Sequence, residues 1–86
     1  MAVNVLFAVY GGLRNGDPLQ EEAADVTQAL QTLLKPGSPG TVVINNANMG
    51  HDPAVGVQKH FGALVEVDGE KRAFACLENQ EIAILA

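Results

Sequence analysis

The chain has 86 residues and a net charge of −5, and 48% of its residues are hydrophobic although only 5% are aromatic. This length predicts a single domain over residues 1–86 with a core built from aliphatic side chains. The five basic residues are scattered, so the sequence offers no basic stripe with which to bind nucleic acid or an anionic membrane. The single cysteine cannot form an intrachain disulfide. No segment is typical of a signal peptide or a membrane span, and the sequence predicts a cytoplasmic protein.

The amino-terminal segment VNVLFAVY, residues 3–10, predicts a β-strand. β-branched and aromatic residues favour strands, and apolar residues occupy both alternating faces of this one. We therefore expect it to be covered on both sides. The Gly11-Gly12 pair is expected to end the strand, and the following RNGDP is typical of a turn.

The segment LQEEAADVTQALQTLL predicts helix, because its residues are good helix formers and its leucines recur at helical spacing. Its first part, LQEEAAD, is strongly polar, so the pattern does not decide whether the helix begins there or later. We favour a short helix from about Val26 to Leu34, with Asp25 as its cap and Gln28 completing a capping box. The segment KPGSPG then ends it, because proline and glycine do not continue a helix.

The carboxy-terminal half predicts strands. TVVIN is a short buried strand, and HFGALVEVDGEKRAFACL consists of two alternating runs joined by Asp68-Gly69. This dipeptide is the signature of a two-residue type I′ hairpin, in which Glu66 lies opposite Lys71. After the turn ENQ, the segment EIAILA predicts a last strand.

Five strands and one short helix indicate a mainly β fold, a small antiparallel β-sandwich. The apolar first and last strands would be hazardous at exposed sheet edges unless they pair with each other or with another subunit. The sequence therefore predicts a homo-oligomer that associates through its edge strands.

No combination of side chains indicates catalysis, so we expect a protein that is not an enzyme and uses no cofactor. Ser38 lies in a proline- and glycine-rich linker, and Cys76 belongs to an apolar strand, so neither is a convincing nucleophile. The candidate metal cluster is His51, Asp52 and His60, whose spacing matches no standard zinc pattern. We therefore predict no metal site.

The segment NNANMGHDPAVGVQK, residues 45–59, is the best candidate for a binding site. Asparagine supplies hydrogen-bond donors and acceptors, aspartate adds acceptors and lysine adds donors, which is the mixture that sugar hydroxyls require. A structural interpretation competes with this one. Asx residues favour turns because they bond to their own backbone, and Asp52 would then pair with Lys59 across the loop.

The runs AVYGG, DVTQALQTLL, VINNANMGHDPAVGVQKHF, VEVDGE and ACLENQEI together resemble two related groups of domains over nearly the whole chain. One group is the galactose/rhamnose-binding lectin domain, first known from egg lectins. The other is a lectin-like β-domain at the carboxy end of some DnaJ-type co-chaperones and in bacterial proteins, and it is the more similar of the two. The resemblance implies a lectin-like α+β fold.

The resemblance also implies a set of ligand-binding residues, because a tyrosine, asparagine, aspartate, glycine and lysine line the sugar pocket of the lectins. The residues at the matching positions are Tyr10, Asn45, Asn46, Asp52, Gly56 and Lys59. The chain departs from the lectin pattern in four ways: the framework cysteines are missing, Gly12 replaces an arginine, no glutamate on a preceding strand is found, and His51 looks like an insertion.

These observations predict a non-catalytic binding module. It would recognise a carbohydrate or another polyhydroxylated ligand through the 45–59 loop and Tyr10. The alternative is a protein–protein interaction or self-assembly domain with no small-molecule ligand.

Overall fold

A computed structural model describes residues 2–85 and places six strands and two short helices in a mainly β fold. The elements are β1 (Val3–Leu13), β2 (Glu21–Asp25), α1 (Thr27–Leu33), β3 (Thr41–Val43), α2 (Asn46–Met49), β4 (His60–Val67), β5 (Glu70–Leu77) and β6 (Glu81–Ala83). One antiparallel sheet has the strand order β2-β1-β4-β5, and β3 pairs with β6 in a second antiparallel sheet. The predicted mainly β antiparallel class is confirmed, with one strand more than expected. Within the described residues, no helix has the length and apolar character needed to cross a membrane.

Strand β1 is longer than predicted, because the glycine pair does not end it. Gly11 pairs with Ala23 of β2 on one side and with His60 of β4 on the other. A Cβ atom on Gly11 would overlap backbone atoms of Ala23 and Glu22. The predicted strand end at Gly11 is therefore wrong: glycine is needed here for the close approach of β2.

Strand β2 was not expected, because its sequence EEAAD has little of the β-branched and aromatic character that favours strands. It forms because β1 offers it a partner. Arg14, just beyond the end of β1, reinforces this pairing by donating from Nε to Glu22 Oε1 at 2.7 Å.

Helix α1 takes the place of a strand beside the first half of β1, where β2 does not reach. Thr27 Oγ1 accepts the N–H of Ala8 at 3.0 Å. The Gln31 side chain accepts the N–H of Val5 at 2.7 Å and donates to the carbonyl of Val3 at 3.1 Å. Polar side chains of the helix thus satisfy a sheet edge that would otherwise be unpaired.

The predicted bounds of α1 are confirmed to within one residue at each end. Val26 is the N-cap, and the carboxylate of Asp25 accepts the N–H of Thr27 at 2.9 Å and its hydroxyl at 2.6 Å. The expected capping box is absent, because the Gln28 side chain donates to Thr32 instead. Asp25 therefore caps the first turn of α1 from the position before the N-cap.

The hairpin of β4 and β5 forms as predicted. Asp68 and Gly69 both have left-handed φ angles, 50° and 84°, as a type I′ turn requires. Glu66 lies opposite Lys71 in the observed register. From the sequence we expected the first and last strands to need each other or another subunit as a partner. This is wrong for β1, which pairs with β2 and β4 in the same chain, and β6 pairs with β3.

The core lies against one face of the four-stranded sheet, the inner face. Apolar side chains of β1 and β4 meet α1, α2 and the two-stranded sheet there. The largest fully buried side chains are Tyr10, Leu30, Ile44, Met49, Val65 and Ile84.

The opposite face of the four-stranded sheet is the outer face. Since side chains alternate along a strand, the pairing register assigns its members. Its central members are Phe7, Val9, Gly11, Leu13, His60, Gly62, Leu64, Ala73, Ala75 and Leu77. Phe7 is 50% exposed and Leu64 is 38% exposed, so nothing within residues 2–85 covers this face completely. The expectation that the first strand is covered on both sides is therefore wrong.

Candidate functional site

The predicted binding loop is attached at both ends to the turn between β5 and β6. At its start, the N–H of Ile44 donates to the carbonyl of Gln80 at 2.9 Å, and the N–H of Asn79 donates to the carbonyl of Ile44 at 2.6 Å. At its end, the N–H of Glu78 donates to the carbonyl of Lys59 at 2.9 Å. The loop is therefore a closed lobe beside the sheets.

The side chain of Lys59 is enclosed by this lobe, and only 3% of it is exposed. Its Nζ atom lies 2.9 Å from Asp52 Oδ1 and 3.4 Å from Glu78 Oε1, and it donates to the carbonyl of Val57 at 2.7 Å. An ammonium has three donors, so these partners use all of them. We call Lys59, Asp52 and Glu78 the lysine clasp.

The two carboxylates of the lysine clasp offset the cost of burying the ammonium. Burial by itself would lower the pKa of Lys59, but the hydrogen bonds to Asp52 and Glu78 outweigh it and raise that pKa. The hydrogen bond from Lys59 in turn lowers the pKa of Asp52, whose Oδ1 also accepts the N–H of Ala54 at 3.2 Å. Lys59 and Asp52 therefore each hold the other in its charged form.

Tyr10 lies next to the lysine clasp and is completely buried. Its hydroxyl donates to Asn46 Oδ1 at 2.7 Å. Burial, and then the negative charges of Glu78 and Asp52, raise the pKa of Tyr10 to about 12. The phenol is consequently a neutral hydrogen-bond donor at neutral pH.

The other two predicted site residues have positions that are explained by the loop backbone. Asn45 is the N-cap of α2, a helix that the sequence did not predict, and its Oδ1 accepts the N–H of Asn48 at 2.8 Å. Gly56 is exposed and has a φ of 78°, a left-handed angle that glycine adopts without strain. Neither residue contacts the lysine clasp through a hydrogen bond among the described residues.

Four of the predicted site residues thus lie in one network: Tyr10, Asn46, Asp52 and Lys59. The network also contains Glu78, which sequence analysis assigned only to a turn. The hairpin register carried the missing signal, since continuing the pairing of His60 with Leu77 by one position places Lys59 opposite Glu78. The structural interpretation of the loop, in which Asp52 pairs with Lys59, is observed.

The histidines and the cysteine lie outside this network. Within residues 2–85, no group of three His, Cys, Asp or Glu side chains is placed to hold a metal ion. His51 and His60 are both exposed. Burial raises the pKa of the Cys76 thiol, which leaves it protonated and weakly nucleophilic at neutral pH.

Comparison of the chain with protein-family models, with curated proteins and with solved structures finds no match. The resemblance to lectin domains therefore remains a prediction from the residues alone.

The titration of Tyr10 tests the burial of the network directly. It is the only tyrosine and the chain has no tryptophan, so phenolate absorbance reports on this residue alone. We expect the folded protein to titrate near pH 12 and the protein in denaturant to titrate near the ordinary value of 10. Because the folded pKa is raised, the stability that Tyr10 contributes is complete below pH 10 and is lost as the pH rises towards 12. Titration of the folded protein at the denatured value would contradict the buried placement.

Proposed function

We propose that this chain is a non-catalytic interaction module that self-associates through the outer face of its four-stranded sheet. The observation that carries the proposal is the exposed apolar surface of that face. Phe7 is 50% exposed and Leu64 38%, and Leu6, at the β-bulge beside them, is 39% exposed. Contiguous exposed apolar patches are characteristic of interaction surfaces rather than of isolated domains.

The charges around the outer face support the same proposal. Charged residues lie at its margins, with Glu66 and Lys71 near the hairpin turn and Glu21 and Asp25 on the edge strand β2. An apolar centre with a polar rim is the usual anatomy of a protein–protein interface. A chain of this length also buries a small core, so association would add buried surface and with it stability.

The lysine clasp, by comparison, has the contacts of a structural element. All donors of the Lys59 ammonium are occupied within the chain, and Tyr10 donates its hydroxyl to Asn46. A ligand that used these groups would first have to break bonds that hold the loop. This favours the interaction module over a small-molecule site.

Sedimentation equilibrium from about 1 µM to about 1 mM protein tests self-association. We expect a reversible monomer–dimer equilibrium that Leu64→Lys weakens at least about tenfold, because a charge would be buried in the contact. Val43→Lys is the matched control, since Val43 lies in the other sheet and is 37% exposed. A wild-type protein that stays monomeric over the whole range would contradict the proposal.

Carbohydrate recognition by the loop is the second candidate function. It is favoured by the convergence of Tyr10, Asn46, Asp52 and Lys59, and by the Asp52 side chain, which is 29% exposed. Since the Lys59 donors are occupied, a sugar hydroxyl would bond to Asn46 and Asp52 rather than to the ammonium.

Calorimetric titration with galactose and rhamnose tests this second candidate. Under it, we expect saturable binding with a dissociation constant of about 1 mM or lower, which Asn46→Ala abolishes. Asn4→Ala is the control, because Asn4 is an exposed asparagine on the outer face of β1, away from the loop. The absence of saturable binding by folded wild-type protein would reject the candidate.

A further inference from the structure

We infer that the partner on the outer face is a second copy of this chain, packed face to face about a twofold axis, with Phe7 of each copy seated in a glycine-floored groove of the other. The inference rests on the proposed self-association and adds to it the surface, the register and the shape of the contact. The observation behind it is that the outer face carries both a projecting side chain, Phe7, and a groove.

The depression is a groove of about 540 Å³ that crosses the outer face from β2 over β1 to β4. Gly11 and Gly62 contribute only backbone to its lining, while Val9, Leu13 and Ala23 contribute apolar side chains. Three polar residues also line it: Glu21, Gln58 and His60. The two glycines sit on neighbouring strands, so the sheet surface is lowered where they lie close together. The groove is therefore a mainly apolar trough rather than a polar pocket.

The projection is Phe7, half of which is exposed. Phe7, Val9 and Gly11 are successive outer-face positions along β1, so the projection lies two positions from the floor of the groove. Leu64, which lies opposite Phe7 on β4 and is 38% exposed, makes the same half of the sheet higher. The outer face thus has a raised half and a lowered half.

A twofold axis that crosses the strands at the Val9–Gly62 pair exchanges these halves. It brings Phe7 of one copy over Gly11 of the other, and the symmetry repeats the contact in the opposite direction. The arrangement is an aligned packing of two sheets, whose strand directions normally differ by about 30°. Both projections and both grooves are then filled by one closed contact.

The size of the face fits a pair of copies. The strands β1, β2, β4 and β5 have 11, 5, 8 and 8 residues. With strands about 4.8 Å apart and a rise of about 3.4 Å per residue, they give a surface of roughly 500 Å². Two copies would bury about 1,000 Å² in total, which is the minimum expected of a specific interface. Glu66 and Lys71 lie near the hairpin turn, away from the axis. Asp25, which pairs with Val9 from the edge strand β2, lies in line with the axis but at the exposed margin of the face, so its charge stays at the rim of the contact.

Gly62→Val distinguishes this packing from unspecific apolar contact. A Cβ atom on Gly62 meets Val9 Cγ1 at 3.8 Å and the carbonyl oxygen of Phe74 at 4.0 Å, which are ordinary contacts, so the protomer has room for a side chain. The valine makes the outer face more apolar but fills the groove at the axis. We expect the dimer dissociation constant to rise at least about tenfold, whereas unspecific contact would make it fall.

Phe7→Thr removes the projection while keeping a residue that favours strands. We expect it, too, to raise the dissociation constant at least about tenfold. Leu19→Thr is the control, because Leu19 is 91% exposed but lies in the turn between β1 and β2, away from the centre of the face. Sedimentation equilibrium measures all the variants, and circular dichroism and thermal unfolding verify that each one is folded.

The outcomes separate the inference from the proposed function. If wild-type protein associates and either Gly62→Val or Phe7→Thr keeps its affinity, the face-to-face register is overturned, while self-association through the outer face stands as long as Leu64→Lys weakens it. A wild-type protein that stays monomeric contradicts both the face-to-face register and the proposed self-association. Should a variant fail to fold, methyl NMR of wild-type protein decides: Val9 and Leu64 signals that move with protein concentration while Val43 stays fixed support the register, and stationary Val9 and Leu64 signals overturn it.

Discussion

The buried ammonium of Lys59 is the interaction on which the rest of the structure depends. It holds the 45–59 loop to Asp52 and to Glu78, and Glu78 begins the turn that carries the chain from the four-stranded sheet to the two-stranded sheet. The same turn anchors the start of the loop at Ile44. Tyr10 extends the network to the centre of β1 through its hydrogen bond to Asn46. One polar cluster therefore joins the loop, the turn and both sheets.

This cluster determines how polar and apolar surface are distributed. Lys59 and Asp52 of the loop pair with each other, and Asn46 accepts the hydroxyl of Tyr10, so the segment that looked most like an open site is largely closed. The outer face of the sheet shows the opposite distribution, since its apolar side chains face outward beside a glycine-floored groove. We therefore propose that the loop stabilises the domain and that the outer face binds a partner. The two roles occupy different parts of one small fold.

The sequence predicted the features that local residues determine. Asp68-Gly69 specifies the hairpin and its register, because both residues accept left-handed φ angles. It did not predict the end of β1, because glycine is common both where a strand ends and where two strands approach as closely as β1 and β2 do at Gly11. It also missed Glu78, whose role depends on Lys59, 19 residues earlier in the chain. The sequence did not predict the exposure of Phe7 either. A strand with apolar residues on both faces has the same sequence pattern whether its second face packs against a neighbour or meets solvent.

The unfolding free energy of Lys59→Met, compared with that of Lys35→Met, tests the central role of the buried ammonium most directly. Methionine keeps an apolar stem but leaves the carboxylates of Asp52 and Glu78 without their cation. We expect Lys59→Met to lose about 3 kcal/mol in denaturant titrations at neutral pH. Lys35 is exposed, so we expect its replacement to change the free energy by less than about 0.5 kcal/mol. Equal unfolding free energies in the two variants would contradict a structural role for the lysine clasp.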